Sequence, residues 1–176
     1  MKFILISAAA LFCLTGCSAT GLVHDKYYVR AASVTHGDKV GITFSFFSGE
    51  ETVSAYGDTI DEALEAAQLR AGKQIFTGYT ELIVMDGDST ADTLEYMLEE
   101  WKVSPSCIAA YSDAGSELLR YGDPEQLRGS VEEAVRLGRI GKSGAVDVLE
   151  QLLSENKAEI AGVSELGFCG TVTINK

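Results

Sequence analysis

The sequence predicts an α+β fold, a single domain in which a mixed β-sheet packs against helices. Three observations carry this. Runs rich in β-branched and aromatic residues stand in hairpin-like pairs near both ends of the chain. Between them, segments of helical apolar period alternate with short, continuous apolar runs, the pattern of buried strands. No internal repeat, low-complexity tract or shift in composition divides the 176 residues, so one domain accounts for the body of the chain.

The elements follow in order. Tyr27 to Val34 and Lys39 to Phe47 flank Thr35-His36-Gly37-Asp38, and Asp and Gly between two such runs mark a hairpin. Ile42, Phe44 and Phe46 alternate with neighbours to give one apolar face. Ser48-Gly49-Glu50-Glu51 breaks the run, and Thr52 to Tyr56 reads as a short third strand ending at Gly57. Thr59 and Glu62 have the spacing of a capping box. Ile60, Ala63, Leu64, Ala67 and Ala71 then recur at helical intervals to about Lys73. Leu82 to Met85 is a buried central strand. Asp86-Gly87-Asp88-Ser89 turns the chain and caps a helix whose apolar face is Leu94, Met97, Leu98 and Trp101. Pro105 stops that helix and Cys107 to Tyr111 is another strand. Ser112-Asp113 caps a short helix with Leu118 and Leu119. Asp123-Pro124 sets a cap followed by proline at the first helical position, opening a helix with Leu127, Val131, Ala134 and Val135. Ser143 starts a further helix carrying Val146, Leu149, Leu152 and Leu153. Ala158 to Val163 and Gly170 to Ile174 form two closing strands.

The first residues are of another kind. One lysine, then a nearly unbroken apolar stretch from Phe3 to Leu14, is a signal-peptide pattern over residues 1–16. It is shorter than the roughly 20 residues of a membrane-spanning helix. Leu14-Thr15-Gly16-Cys17 fits the bacterial lipobox. Small residues there let a peptidase grip an extended backbone, and the Cys17 thiol is the group that takes diacylglycerol. Residues 17–25 then form a lipidated tether and 26–176 the folded domain. The expected location is the outer face of a bacterial membrane, held there by the lipid.

Charge and composition exclude several functions. Asp and Glu number 26 against 14 Lys and Arg, a formal charge of -12. A nucleic-acid partner is excluded, since that needs a basic footprint. The same charge disfavours adhesion to anionic headgroups and leaves the acyl chains as anchor. Gly141-Lys142-Ser143 lacks the upstream glycine of a phosphate loop, that position being Arg136. His24 and His36 fall in a tether and a turn with no second ligand at metal spacing. The pairs Glu50-Glu51, Glu99-Glu100 and Glu132-Glu133 read as solvated faces, because adjacent residues do not converge. No serine sits in a nucleophile elbow. No catalytic, metal or cofactor residue is therefore nominated, and the chain reads as a non-enzyme. Cys107 and Cys169 remain after processing; they either pair outside the cytosol or pack as two buried free thiols.

A family resemblance adds a function. The chain reads Gly57-Asp58-Thr59-Ile60-Asp61-Glu62-Ala63-Leu64, then Lys73-Gln74-Ile75-Phe76-Thr77-Gly78-Tyr79, then Leu82-Ile83-Val84-Met85. With the lipobox, the early strand pair and the closing Gly167-Phe168-Cys169-Gly170-Thr171-Val172, this resembles the first domain of the lipoprotein C subunits of bacterial spore germinant receptors, the Ger(x)C family. The resemblance implies a lipid-held, non-catalytic subunit beside integral membrane subunits, acting in nutrient-triggered germination. Only the lipid cysteine maps residue by residue, onto Cys17. Two other functions remain as alternatives: an envelope lipoprotein that binds a small solute or another envelope protein, and a cell-envelope hydrolase with a site assembled from scattered residues.

Overall fold

The structure is a computed structural model and describes residues 26–49, 52–87 and 89–176. The signal peptide, Cys17 and its tether, His24, Glu50-Glu51 and Asp88 lie outside the described residues. The chain forms β1 (Lys26–Thr35), β2 (Val40–Phe46), β3 (Val53–Gly57), α1 (Ile60–Ala71), β4 (Gln74–Phe76), β5 (Leu82–Met85) and α2 (Thr90–Glu99). It continues through β6 (Ile108–Tyr111), α3 (Gly115–Tyr121), α4 (Pro124–Arg136), α5 (Ala145–Glu155), β7 (Lys157–Ser164) and β8 (Gly167–Asn175).

The strands make one mixed sheet of eight, in the order β3-β2-β1-β5-β6-β7-β8, with β4 paired to β1. β1, β5, β6 and β7 run parallel. β2 and β3 on one side and β8 on the other are antiparallel to their neighbours. This is the expected α+β architecture with a mixed sheet.

Helices cover both faces. Ala63 and Ala67 of α1, Leu94 and Met97 of α2, and Val148 and Leu152 of α5 share one core with Ile42, Phe44, Ile83 and Met85. Leu118 and Leu119 of α3 and Leu127 and Val131 of α4 share the other with Leu82, Val84 and Ala110. β5 shows why its sequence is continuously apolar: all four side chains are buried, alternating between the two cores.

Local signals explain several boundaries. The Thr59 side chain accepts from the Glu62 amide at 3.2 Å, and Glu62 reaches back to the Asp58 amide at 2.8 Å. Gly72, at φ 65°, closes α1 in the left-handed conformation. Asp123 accepts from the Glu125 amide at 2.9 Å and Pro124 opens α4.

Other expectations fail for physical reasons. Ser89 precedes α2 with φ 49° and makes no side-chain cap bond; Thr90 instead donates its hydroxyl to the Gly87 carbonyl at 2.9 Å. Ser112 accepts from the Ala114 amide at 3.3 Å, so it shapes the turn before α3 and does not cap the helix. Ser143 is buried and Gly144 is the residue before α5. The reason is long-range. The Ala109 amide donates to the Ser143 carbonyl at 2.8 Å and the Ala145 amide to the Cys107 carbonyl at 2.7 Å. The segment thus fills the flank of β6 below the point where β7 begins to pair. The buried stripe of α5 is Ala145, Val148 and Leu152, while Val146 and Leu153 are exposed.

Candidate functional site

An open sheet with parallel strands places ligands outside the strands' carboxyl ends, where successive crossovers leave for opposite faces. Here that point lies between β5, which continues into α2 on one face, and β6, which continues into α3 on the other. The Tyr111 ring closes it: a Cβ on Gly87 would stand 3.0 Å from the ring edge, and Gly87 has φ 97°. The Ser112 amide ties the two strand ends together by donating to the Met85 carbonyl at 2.9 Å.

The histidine at this end is a structural tie. His36 is half-buried and not the solvated turn residue expected from sequence. Its amide donates to Asp86 Oδ2 at 2.5 Å, and Nδ1 lies 3.5 Å from Asp86 Oδ1. Nε2 lies 3.4 Å from Thr93 Oγ1. The order hydroxyl, imidazole, carboxylate matches a catalytic triad. Thr93, however, is buried at 1% exposure on the core side of α2, so no substrate carbonyl can reach its hydroxyl. The three groups hold the β1–β2 turn, the end of β5 and α2 together.

A cavity of about 320 Å³ opens beside this end, between β6, α3 and the β7–β8 hairpin. Tyr111, Asp113, Glu117, Gly162, Glu165 and Cys169 are among its walls. Cys169 is exposed and forms no disulfide among the described residues. His36 follows β1 and Cys169 lies on β8, four strands away, roughly 19 Å at ~4.8 Å per strand. Among the described residues no group of histidine, cysteine and carboxylate side chains could hold a metal ion.

The two cysteines are separate thiols, and only one is buried. Gly162 pairs with Tyr111, and the Cys169 sulfur stands over Gly162. Cys107 precedes Tyr111 by four residues along β6, roughly 13 Å at ~3.3 Å per residue. A disulfide needs Cα atoms within about 7 Å. Burial, and then the nearby Glu81 carboxylate, push the Cys107 thiol up to about 12.

The sheet edges differ sharply. β3 has five residues, lies against α1, and has its Ser54 carbonyl capped by the Arg70 guanidinium. The Arg120 guanidinium adds a bond to Ser54 Oγ at 3.0 Å. β8 has nine residues, Gly-Phe-Cys-Gly-Thr-Val-Thr-Ile-Asn, without a charge or a proline, and pairs only with β7. Ser130 of α4 covers its start by accepting from the Phe168 amide at 2.8 Å. Beyond that, Lys176 donates to the Asn156 carbonyl. By the alternation of an antiparallel ladder, the backbone groups of Thr171, Thr173 and Asn175 point away from β7. Natural proteins blunt such an edge with lysine, proline or a bulge; here the ladder shifts register at Cys169, between the Gly162–Gly170 and Val163–Phe168 pairs, and Thr171 to Asn175 stay regular. The chain's nine-residue neutral stretch was the sequence signal for it, but edge position rests on pairing that no local pattern reports.

Comparison with known protein families, with curated proteins and with solved structures returned no match. Among the described residues no helix is long and apolar enough to cross a membrane.

Proposed function

We propose that this chain is a lipid-tethered, non-catalytic interaction subunit, held through Cys17 on the outer face of a bacterial cytoplasmic or inner spore membrane. On the Ger(x)C resemblance, its partners are integral membrane receptor subunits and its process is nutrient-triggered germination. The observation that best supports an interaction role is the open edge of β8. An unpaired edge of this length accepts an added strand, whose main-chain bonds supply affinity. Thr171 and Thr173 expose side chains that a partner strand can read.

The test is photo-crosslinking in intact membranes, with the crosslinking residue at Thr173 and, as control, at the exposed Leu69 of α1. Adducts to membrane proteins from position 173 and not from 69 are expected. Equal yields from both positions, or monomer alone from both, would overturn the edge as the contact. Cys17→Ser should lose membrane partitioning at high salt; retention would remove the tether.

A second reading has the cavity beside Tyr111 in its favour. About 320 Å³ suits a small solute, and Asp113, Glu117 and Glu165 suit a cationic group. Thermal stabilisation by an amine-bearing nutrient, lost in Asp113→Asn, would establish it; unchanged melting across an amine panel would dismiss it.

A further inference from the structure

We propose that the amino end of the parallel strands is a second membrane contact, which seats the domain on the headgroup layer of the bilayer that holds its lipid. This rests on the reading of Cys17 as the lipidated residue.

The surface is an aromatic cluster. Tyr28 of β1 stacks on Tyr79 at 5.8 Å between ring centroids and meets Phe76 of β4 at 5.6 Å. Phe76 and Tyr79 meet edge to face at 5.2 Å. Packing does not hide them: Phe76 is 38% and Tyr79 62% exposed. Phe47, 39% exposed, continues the surface, because its amide donates to the Tyr28 carbonyl at 3.0 Å. Three other large apolar side chains, Ile75, Phe44 and Trp101, are buried close by in sequence or space, so the cluster is not simply core that failed to close. Rings with an apolar body and, for tyrosine, a polar tip are the side chains that settle at a membrane–water interface.

Three lysines stand near the cluster. Lys26 pairs in register with Gln74, two residues from Phe76. Lys73 Nζ lies 4.7 Å from the Tyr27 ring. The Lys102 carbonyl lies 3.7 Å from the position a Cβ on Gly78 would take. None of these three lysines has a carboxylate within 4.0 Å among the described residues. A chain of net charge -12 therefore places lysines without a carboxylate partner at the end that carries the exposed rings, while Glu81 and Glu132, which share the groove beside Tyr79, are paired with Arg128. That combination fits anionic headgroups, which attract lysines near the surface. On this proposal the acyl chains are not the sole anchor that the net charge alone suggests, because this face adds to them.

The tether decides the occupant. The described chain begins at Lys26, two residues before Tyr28, and Cys17 lies nine positions earlier in the sequence. Nine residues of chain reach at most about 30–32 Å, whatever their conformation. The bilayer surface is thus always within reach of this end, whereas the opposite end of the strands stands a further strand length away. An intramolecular contact of this kind works at high effective concentration, so weak affinity suffices.

The experiment uses the full chain, purified from bacterial membranes with the lipid on Cys17 checked by mass spectrometry. It is reconstituted in phosphatidylethanolamine–phosphatidylglycerol vesicles carrying spin-labelled lipid as quencher. In a Cys169→Ser background, an environment-sensitive fluorophore is attached at Ser106→Cys, beside Tyr79 around a shared groove. A second chain carries it at Leu166→Cys, at the far end and 92% exposed. Several-fold stronger quenching at 106 than at 166 is expected. Adding Phe76→Ser and Tyr79→Ser should bring 106 down to the level of 166. Equal quenching at the two positions with lipid present on Cys17 would overturn the seated orientation and leave the tether intact. A Cys17 without lipid in membrane-derived protein would overturn the tether, and this proposal with it.

Discussion

Removing the single tryptophan is the sharpest probe of the larger core. Trp101 lies just past the end of α2, 4% exposed. Its ring meets Phe44 at 5.5 Å and Tyr96 at 6.3 Å between centroids, and its carbonyl accepts from the Thr77 hydroxyl at 3.3 Å. It therefore joins α2, β2 and the loop before β5. Trp→Ala at a buried site costs about 3–5 kcal/mol, against a whole-domain stability of about 5–15 kcal/mol. At roughly 2–4 °C per kcal/mol for a chain of this size, Trp101→Ala should lower Tm by roughly 6–20 °C. Trp101→Phe should behave differently. Among the described residues the buried indole N–H has no hydrogen-bond partner of good geometry, and an unsatisfied donor costs about 1–3 kcal/mol. Phenylalanine removes that penalty while losing some area, so its net cost should stay below about 2 kcal/mol. Urea unfolding followed by circular dichroism measures both variants, and the emission maximum of the wild-type indole gives an independent check. A Trp101→Ala cost under about 1 kcal/mol, or emission typical of water-exposed indole, would show that this core is not packed as described.

Three further outcomes are expected. At pH 8 a thiol reagent should modify Cys169 in the native domain and leave Cys107 untouched until unfolding. Because the Cys107 thiol is raised in the folded state, the unfolded chain ionises first, so its contribution to stability is present below about pH 8.5 and declines as pH rises toward 12; labelling and unfolding across that window test both. Gly57→Ala should destabilise strongly, because a Cβ there would sit 2.4 Å from the Ala63 amide nitrogen, whereas Gly129→Ala, in open space on α4, should stabilise by about 0.5–1 kcal/mol; matched melting curves decide. Asp86→Ala should cost about 1–3 kcal/mol by leaving the His36 amide unpaired at a half-buried turn, measured by urea unfolding.

What could be read from sequence was what local physics decides. Thr59 and Asp123 lie at helix starts where the cap is made by neighbours in the chain, and the strand of Leu82 to Met85 announces two-sided burial by composition alone. Ser143 looked like another cap. Its backbone instead completes the flank of β6, a partner more than thirty residues away, and no window around Ser143 contains that information. α5 presented two adjacent apolar stripes, and the sheet beneath selected the one with Ala145, Val148 and Leu152. β4, three residues long, alternates exposed and buried too briefly to register. His36 was misjudged for the same reason, since Asp86 and Thr93 reach it from β5 and α2. The open edge of β8 and the aromatic end are products of strand order, which pairs residues far apart in the chain.

Strand direction links the two proposed surfaces and sets one last prediction. β8 runs antiparallel to β7, and Asn175 pairs with Lys157 at the start of β7. The starts of β1, β5, β6 and β7 lie at the same end of the sheet because these strands are parallel. Asn175 therefore stands at the end that carries Tyr28 and Phe76, and Gly167 at the opposite end. With that end seated on the bilayer, β8 would rise from the membrane over roughly 30 Å, at about 3.4 Å per residue. A partner strand would then pair with it starting from a segment that has just left the membrane. Crosslinks from Asn175 should map to partner residues next to a transmembrane segment, and crosslinks from Cys169 to residues farther from it. The polarity should disappear in the Phe76→Ser, Tyr79→Ser variant if the aromatic end sets the orientation, while total adduct yield stays near that of the parent because the edge itself is unchanged. A reversed polarity in the parent chain, with Asn175 reaching the membrane-distal residues, would mean that the domain does not stand on its amino end.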